Sequence, residues 1–192
     1  MAPLIRQADI SDAARLGEVH VAAWQWAYRG LMPDEVLDSL RPDARARAWE
    51  QMLGERDGAF QAWVAEVDGE VIGFASSGAP LDDDLPEGSV ELMAIYLLEP
   101  YLHTGIGSQL IEAAESAWVD QGSRLGMLWV LEDNTGTIEF YERHGWQHDG
   151  GRRDHQVAAG VSVPTLRYIK RLAPVVPLAN EQLQQGVVGE HR

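Results

Sequence analysis

The spacing of apolar residues changes along the chain, and each change marks an element. Leu4 to Ala8 is short and apolar enough for a first strand. Ser11 or Asp12 stands where a helix cap belongs. Leu16, Val19, His20, Ala23 and Ala27 then recur at three- and four-residue intervals, which makes one apolar helical face. Gly30 and Pro33 interrupt that helix. A second helical stretch starts near Pro33, and a third runs from about Pro42 to Leu53, with Pro42 in the first turn, where its missing N–H costs nothing. The period next shortens. Ala62 to Val67 and Val71 to Ala75 read as two strands joined by Asp68-Gly69, a tight-hairpin signal. Pro80 to Gly88 is a loop carrying Asp82-Asp83-Asp84, expected to be solvated. Val90 to Leu98 is a strand apolar enough to be buried on both faces.

Helical spacing returns at Ile106, Leu110, Ile111, Ala114, Ala117 and Trp118 and stops at Gly122. Leu125 to Leu131 is a further buried strand. Asp133 or Asn134 caps a helix ending at His144-Gly145, with Gly145 placed for the left-handed C-terminal position. Trp146 to Asp149 and Thr165 to Arg171 are the last strands, and residues 150–164 form a long connection between them. Pro174 to Arg192 reads as a loosely ordered tail, so the folded domain spans 1–173. The order predicts an α/β fold. Its central sheet is mixed, antiparallel in the N-terminal part and β-α-β-α-β in the C-terminal part, with helices on both faces.

Charge narrows the function. Thirty acidic residues against fifteen basic ones leave a net charge of −15. Such a surface repels nucleic-acid phosphates and anionic membranes and favours a cationic substrate such as an amine; solubility accounts for it equally well. The chain has no cysteine, which excludes disulfides, thiolate zinc sites and cysteine nucleophiles. The six histidines show no metal spacing, so no metal is expected. No run of about 18 apolar residues exists, and residues 1–7 lack a basic start followed by a long apolar stretch. A cytoplasmic protein is expected, with a homodimer left open.

The segment from Ala94 to Ile111 carries the most chemistry. A buried strand runs into a short turn, and Gly105 and Gly107 open an amphipathic helix. A helix N-terminus has unpaired N–H groups and partial positive charge, and glycines let an anion approach closely. The turn can therefore hold a phosphate, with His103, Thr104 and Ser108 adding side-chain contacts. A glycine used only for a tight turn is the plainer alternative. The P-loop pattern is absent, and no third glycine completes a dinucleotide fingerprint.

Leu102-His103-Thr104-Gly105-Ile106-Gly107 resembles the acetyl-CoA motif of GNAT acetyltransferases, roughly Arg/Gln-x-x-Gly-x-Gly/Ala after a central strand. The resemblance extends upstream to Val19–Trp24, Tyr28-Arg29-Gly30 and the Asp68-Gly69 hairpin. Downstream it takes in Leu128–Asn134 and Phe140–Trp146, and it covers about Leu4 to Arg171. Leu102 departs from the family's Arg or Gln, and Glu99-Pro100 shifts its usual proline.

The resemblance implies a site for acetyl-CoA. The pyrophosphate meets backbone N–H groups of His103, Thr104, Gly105, Ile106, Gly107 and Ser108. The pantetheine arm pairs strand-like with Ile95, Tyr96 and Leu97, and Asn134 contacts it. Amine acetylation needs a base, an oxyanion donor and an acid for the leaving thiolate. Glu91 is the candidate base, with an ordered water as the alternative and Glu132 and Asp133 as weaker rivals; Met93 and Ile95 are expected on its side of the strand. Tyr141, two turns after Asn134, is the candidate acid, its plain alternative being a core aromatic. Trp24 and Tyr28 are candidates to line the site of a small-molecule amine, with Trp26 beside them; core packing is the rival role. Protein acetylation and a non-catalytic acyl-CoA-binding module remain alternatives.

Overall fold

The computed structural model describes residues 2–55 and 60–172. The expected tail at 174–192 lies outside the described residues. Seven strands form one sheet in the order β1-β2-β3-β4-β5-β7-β6. They are β1 (Leu4–Gln7), β2 (Gln61–Val67), β3 (Glu70–Gly78), β4 (Val90–Leu97), β5 (Leu125–Leu131), β6 (Gln147–Ala158) and β7 (Val161–Arg171). Five α-helices accompany them: α1 (Ala13–Ala27), α2 (Asp34–Asp38), α3 (Pro42–Gly54), α4 (Ile106–Asp120) and α5 (Thr135–Arg143). Every neighbouring pair of strands is antiparallel except β4 and β5.

The period-two segments become β2 and β3 because Asp68 and Gly69 both take positive φ, 54° and 83°, the conformation whose twist suits a two-residue hairpin. One sheet face packs against α1 and α3 through Leu16, Val19, Trp49, Val64 and Phe74. The other packs against α4 through Ile72, Leu110, Ile111, Trp118 and Leu128, with Tyr141 of α5 and Trp146 beyond it. A helix with one apolar stripe must bury it against another layer, and here each sheet face supplies that layer.

Two local expectations are refined and two are corrected. Asp12 holds the cap position of α1 as expected, but its side chain makes no capping bond there. It closes a capping box on the 3-10 turn Ile10–Asp12, where Asp9 accepts from the Ser11 N–H and Asp12 accepts from the Asp9 N–H, and it pairs with Arg6 at 2.8 Å. The Asp82–Asp84 loop is solvated at Asp83 and Asp84 as expected, but Asp82 is largely covered and both Asp82 and Asp84 bind Arg167. β4 is apolar but not buried on both faces: Leu92 is covered, whereas Met93 is 53% exposed. The stretch 150–164 is not a long loop. β6 continues to Ala158 and turns at Gly160 into β7, paired from Gln147–Ile169 to Ala158–Val161. β6 escapes the hydrophobic pattern because it is an edge strand with little of either face covered, held by its ladder with β7.

Candidate active site

β4 and β5 pair at Val90–Gly126 and Glu91–Met127 and then part. A sheet that opens between parallel strands leaves backbone groups of both free along the opening. A cleft of about 630 Å³ fills this opening, walled by Ile95, Tyr96 and Leu97 of β4, the Leu102–Ser108 turn, and Asn134, Thr137 and Phe140 of α5. It meets an inner cavity of about 140 Å³ bounded by Tyr28, Met93, Tyr96, Trp129, Leu131 and Tyr141.

The turn is built for anions. His103 has φ 60° and Gly105 φ 86°, alternating left-handed residues that point successive amides into one concavity. Among the described residues, the N–H groups of His103 through Ser108 have no hydrogen-bond acceptor; the first amide with a partner is that of Gln109, bonded to Gly105. Six donors at the N-terminus of a fifteen-residue helix, with its dipole behind them, make a strong anion cradle. No side chain is needed for it, so Leu102 removes a possible contact but not the donors.

Side chains fasten the cradle. Thr104 Oγ1 donates to the Tyr101 carbonyl at 2.6 Å, folding back on its own turn. His144 Nδ1–H donates to the Phe140 carbonyl at 2.7 Å, so its Nε2 accepts from the Ser108 hydroxyl at 2.9 Å. That chain ties the start of α4 to the end of α5. The α5 end itself closes as a Schellman motif, with Trp146 N–H on the Tyr141 carbonyl and Gly145 N–H on Glu142. Asn134, not Asp133, caps α5: its Oδ1 accepts from Thr137 N–H at 3.3 Å while the residue lines both cavities, which leaves its NH₂ for a ligand.

Tyr28, Tyr96 and Tyr141 converge at the inner cavity, and the hydroxyls of Tyr28 and Tyr96 lie 2.7 Å apart. Burial raises the pKa of all three phenols above the ordinary value. Tyr141, 6% exposed, is raised further by the nearby Tyr28. Trp24 lines neither cavity. Its ring packs among His20, Tyr28 and Tyr96, with the Arg45 guanidinium 5.4 Å above it. Trp26, 49% exposed, is the tryptophan of α1 at both cavities.

Glu91 is half-buried at the start of β4. Burial raises its carboxyl pKa, Arg153 lowers it and Asp82 raises it. A bulge separates it from the rest of the strand: Ala94 pairs with Ser76 and Leu92 with Ser77, so Met93 is skipped. Leu92 therefore packs in one core cluster with Ile95, and the expected side-sharing of Glu91 with Ile95 is lost. Glu91 is not among the residues that line either cavity, although Leu92 and Met93 next to it line the inner one. Sequence reasoning missed Thr137, Phe140 and Arg143 in the cleft wall and the bulge that skips Met93 in the β3 register. The spacing of Thr137, Phe140 and His144 along one face of α5 was the available signal for the first group; a bulge leaves none.

A split mixed sheet with an amide-lined turn at its mouth has the form of an acyltransferase, and comparison with known proteins agrees. The acetyltransferase (GNAT) family model matches residues 20–146. The uncharacterized N-acetyltransferase YuaI of Bacillus subtilis is 31% identical over 140 residues, 73% of this chain and 78% of that protein. The spermidine N(1)-acetyltransferase of Thermoplasma acidophilum is 27% identical over 150 residues, 74% of this chain and 87% of that one. In structure, the PaiA N-acetyltransferase of T. acidophilum, solved with coenzyme A, matches with a TM-score of 0.71 at 24% identity, covering 89% of this chain and 99% of that one. The chain belongs to the GNAT family and is an N-acetyltransferase. Among the described residues no helix is long and apolar enough to cross a membrane, and no cluster of potential metal ligands occurs.

Proposed function

We propose that the protein moves an acetyl group from acetyl-CoA to the primary amine of a small molecule, by direct attack within a ternary complex. The observation that carries this reading is the run of six unpaired amides from His103 to Ser108 at the mouth of the split sheet. These donors fit a pyrophosphate. The open edge of β4 at Ile95 to Leu97 and the Asn134 amide fit the two amide groups of a pantetheine arm, and the thioester then reaches the inner cavity. That the chain resembles a spermidine acetyltransferase over 74% of its length supports an amine acceptor.

Each chemical need has a group. Glu91, adjacent to the cavity-wall residues Leu92 and Met93, takes the amine proton through a water, and its raised pKa brings it nearer the working pH. The Met93 N–H, left out of the ladder by the bulge at the cavity wall, supplies the oxyanion donor. Tyr141 stays protonated at neutral pH and gives its proton to the departing thiolate. The new C–N bond forms as the C–S bond breaks, and free CoA leaves.

Titration calorimetry with acetyl-CoA and its desulfo analogue tests the cradle. Binding is expected somewhere between about 1 μM and 1 mM; no heat across that range overturns the reading. CoA release against a panel of amines and peptides tests the acceptor class, and turnover confined to peptides overturns the small-molecule part.

A further inference from the structure

β6 and β7 carry three neighbouring arginines, Arg153 and Arg167 on the sheet face away from α4 and Arg152 on the opposite face, and their partners differ. Arg152 is committed to Glu132, with contacts down to 2.8 Å. Arg167, 12% exposed in its side chain, binds Asp82, Asp84 and Asp149 together. Arg153 is the exception. Among the described residues its side chain makes no hydrogen bond, and its nearest carboxylate oxygen, Asp82 Oδ2, is 3.8 Å away. Asp82 is already engaged: Oδ2 accepts from Trp129 Nε1 at 3.2 Å and Oδ1 from Arg167 at 3.3 Å.

The Arg153 guanidinium is nevertheless held in place. Its central carbon lies 3.9 Å from the centroid of the Trp129 ring. Stacking fixes the plane of a guanidinium and leaves the N–H groups around its edge free for a planar anion. Trp129 is itself a wall of the inner cavity. Register puts Arg153 opposite Thr165, Thr165 opposite Leu131, and Arg167 opposite Trp129, so the arginine and the cavity wall share one sheet face. Glu91, next in the chain to the wall residues Leu92 and Met93, lies close enough to feel the Arg153 charge. Met93, 53% exposed, lies bare on the cavity wall.

We infer that the acceptor is an amine bearing a carboxylate, an amino acid or a close derivative, whose carboxylate is gripped by Arg153 while its amine faces the inner cavity. The inference rests on the acetyl-transfer reading above and names the substrate class of that site. The overall acidity of the protein points to plain cationic amines, but the local arrangement differs: a planar cation with a long ion pair to Asp82 and no hydrogen bond among the described residues stacks on the cavity-wall Trp129, and the carboxyl of Glu91 is next to wall residues Leu92 and Met93. A zwitterion satisfies both. A polyamine would offer the Arg153 N–H groups no acceptor beyond the distant Asp82 and bring a second cation against them.

The test is CoA release with matched pairs: L-phenylalanine against phenethylamine, L-leucine against isoamylamine, L-lysine against cadaverine. Wild-type protein is expected to favour the carboxylate-bearing member by about 10- to 100-fold in kcat/KM, the range of a hydrogen-bonded charge pair. In Arg153→Gln that ratio is expected to collapse toward one, with the KM for acetyl-CoA unmoved, and Arg153→Lys to restore part of it. Wild-type preference for the decarboxylated members overturns the inference, and so does an equal fall for both members in Arg153→Gln, which marks a structural role. If plain amines or peptides release CoA and amino acids do not, the inference falls and acetyl transfer stands. If nothing in either panel releases CoA, the acetyl-transfer reading itself falls.

Discussion

Tyr141 lines the inner cavity and Glu91 adjoins its wall residues Leu92 and Met93, and burial pushes both toward their protonated forms. For Tyr141 the shift keeps the acid charged with its proton across the whole neutral range. Tyr141→Phe keeps the ring that packs against Phe140 and Trp146 and removes only the hydroxyl. Steady-state kinetics on that variant are expected to show kcat lowered by about 100- to 10,000-fold with little change in the KM for acetyl-CoA; unaltered turnover would remove the role. For Glu91 the shift has a stability cost with a definite sign. A carboxyl whose folded pKa is raised holds its proton more tightly in the folded chain than in the unfolded one. Its contribution to stability is therefore full below the unfolded pKa and declines as pH rises through the folded value. Glu91→Gln should thus melt higher than wild type at neutral pH, and the difference should vanish in acid. The same variant should lose the rise of kcat with pH that a base produces. Melting curves and rate profiles over pH 4 to 9 check both halves.

The strand-turn-helix unit at the cofactor mouth shows what a sequence discloses and what it hides. Gly105 sits at φ 86° with nothing within 4 Å of where a Cβ would stand, so its substitution tests conformation rather than crowding. Gly105→Ala is expected to cost about 1–2 kcal/mol of stability and to weaken acetyl-CoA binding by turning amides out of the concavity. Thermal melts and calorimetry on one sample separate the two effects. This turn was legible because glycines, a preceding apolar strand and helical spacing are all local signals. Asn134 and Gly145 were legible for the same reason, each answering unpaired backbone groups at an end of α5. Where tertiary context decided, the pattern was silent. β6 is polar along nearly its whole length, and only pairing with β7 makes it a strand. The apolar run of β4 read as doubly buried because a cleft wall and a core wall look alike in sequence. The parting of β4 from β5 and the bulge at Met93 depend on register, which no single segment records. Arg153 escaped notice because its meaning lies in what its neighbours Arg152 and Arg167 already hold.

At the scale of the whole molecule, two fields of opposite reach act on the two substrates. The chain carries a net charge of −15, which repels a polyanionic nucleotide thioester at distances where individual groups are not resolved. Binding is recovered only at contact, where the six amides of His103 to Ser108 and the α4 dipole act over a few ångströms. Added salt screens the first field, with a Debye length near 10 Å at 0.1 M, far more than the second. Raising ionic strength from about 0.01 M to 0.15 M should therefore increase kcat/KM for acetyl-CoA. For a purely cationic amine the same change should lower kcat/KM, because long-range attraction is lost. A zwitterionic amine has no net charge for the distant field to act on, so its kcat/KM should change least of the three, its recognition resting on Glu91 and Arg153 at short range. Salt titrations of all three substrates on one preparation read these slopes directly. A fall for acetyl-CoA as steep as that for a cationic amine would mean that basic side chains, rather than backbone amides, dominate the cradle.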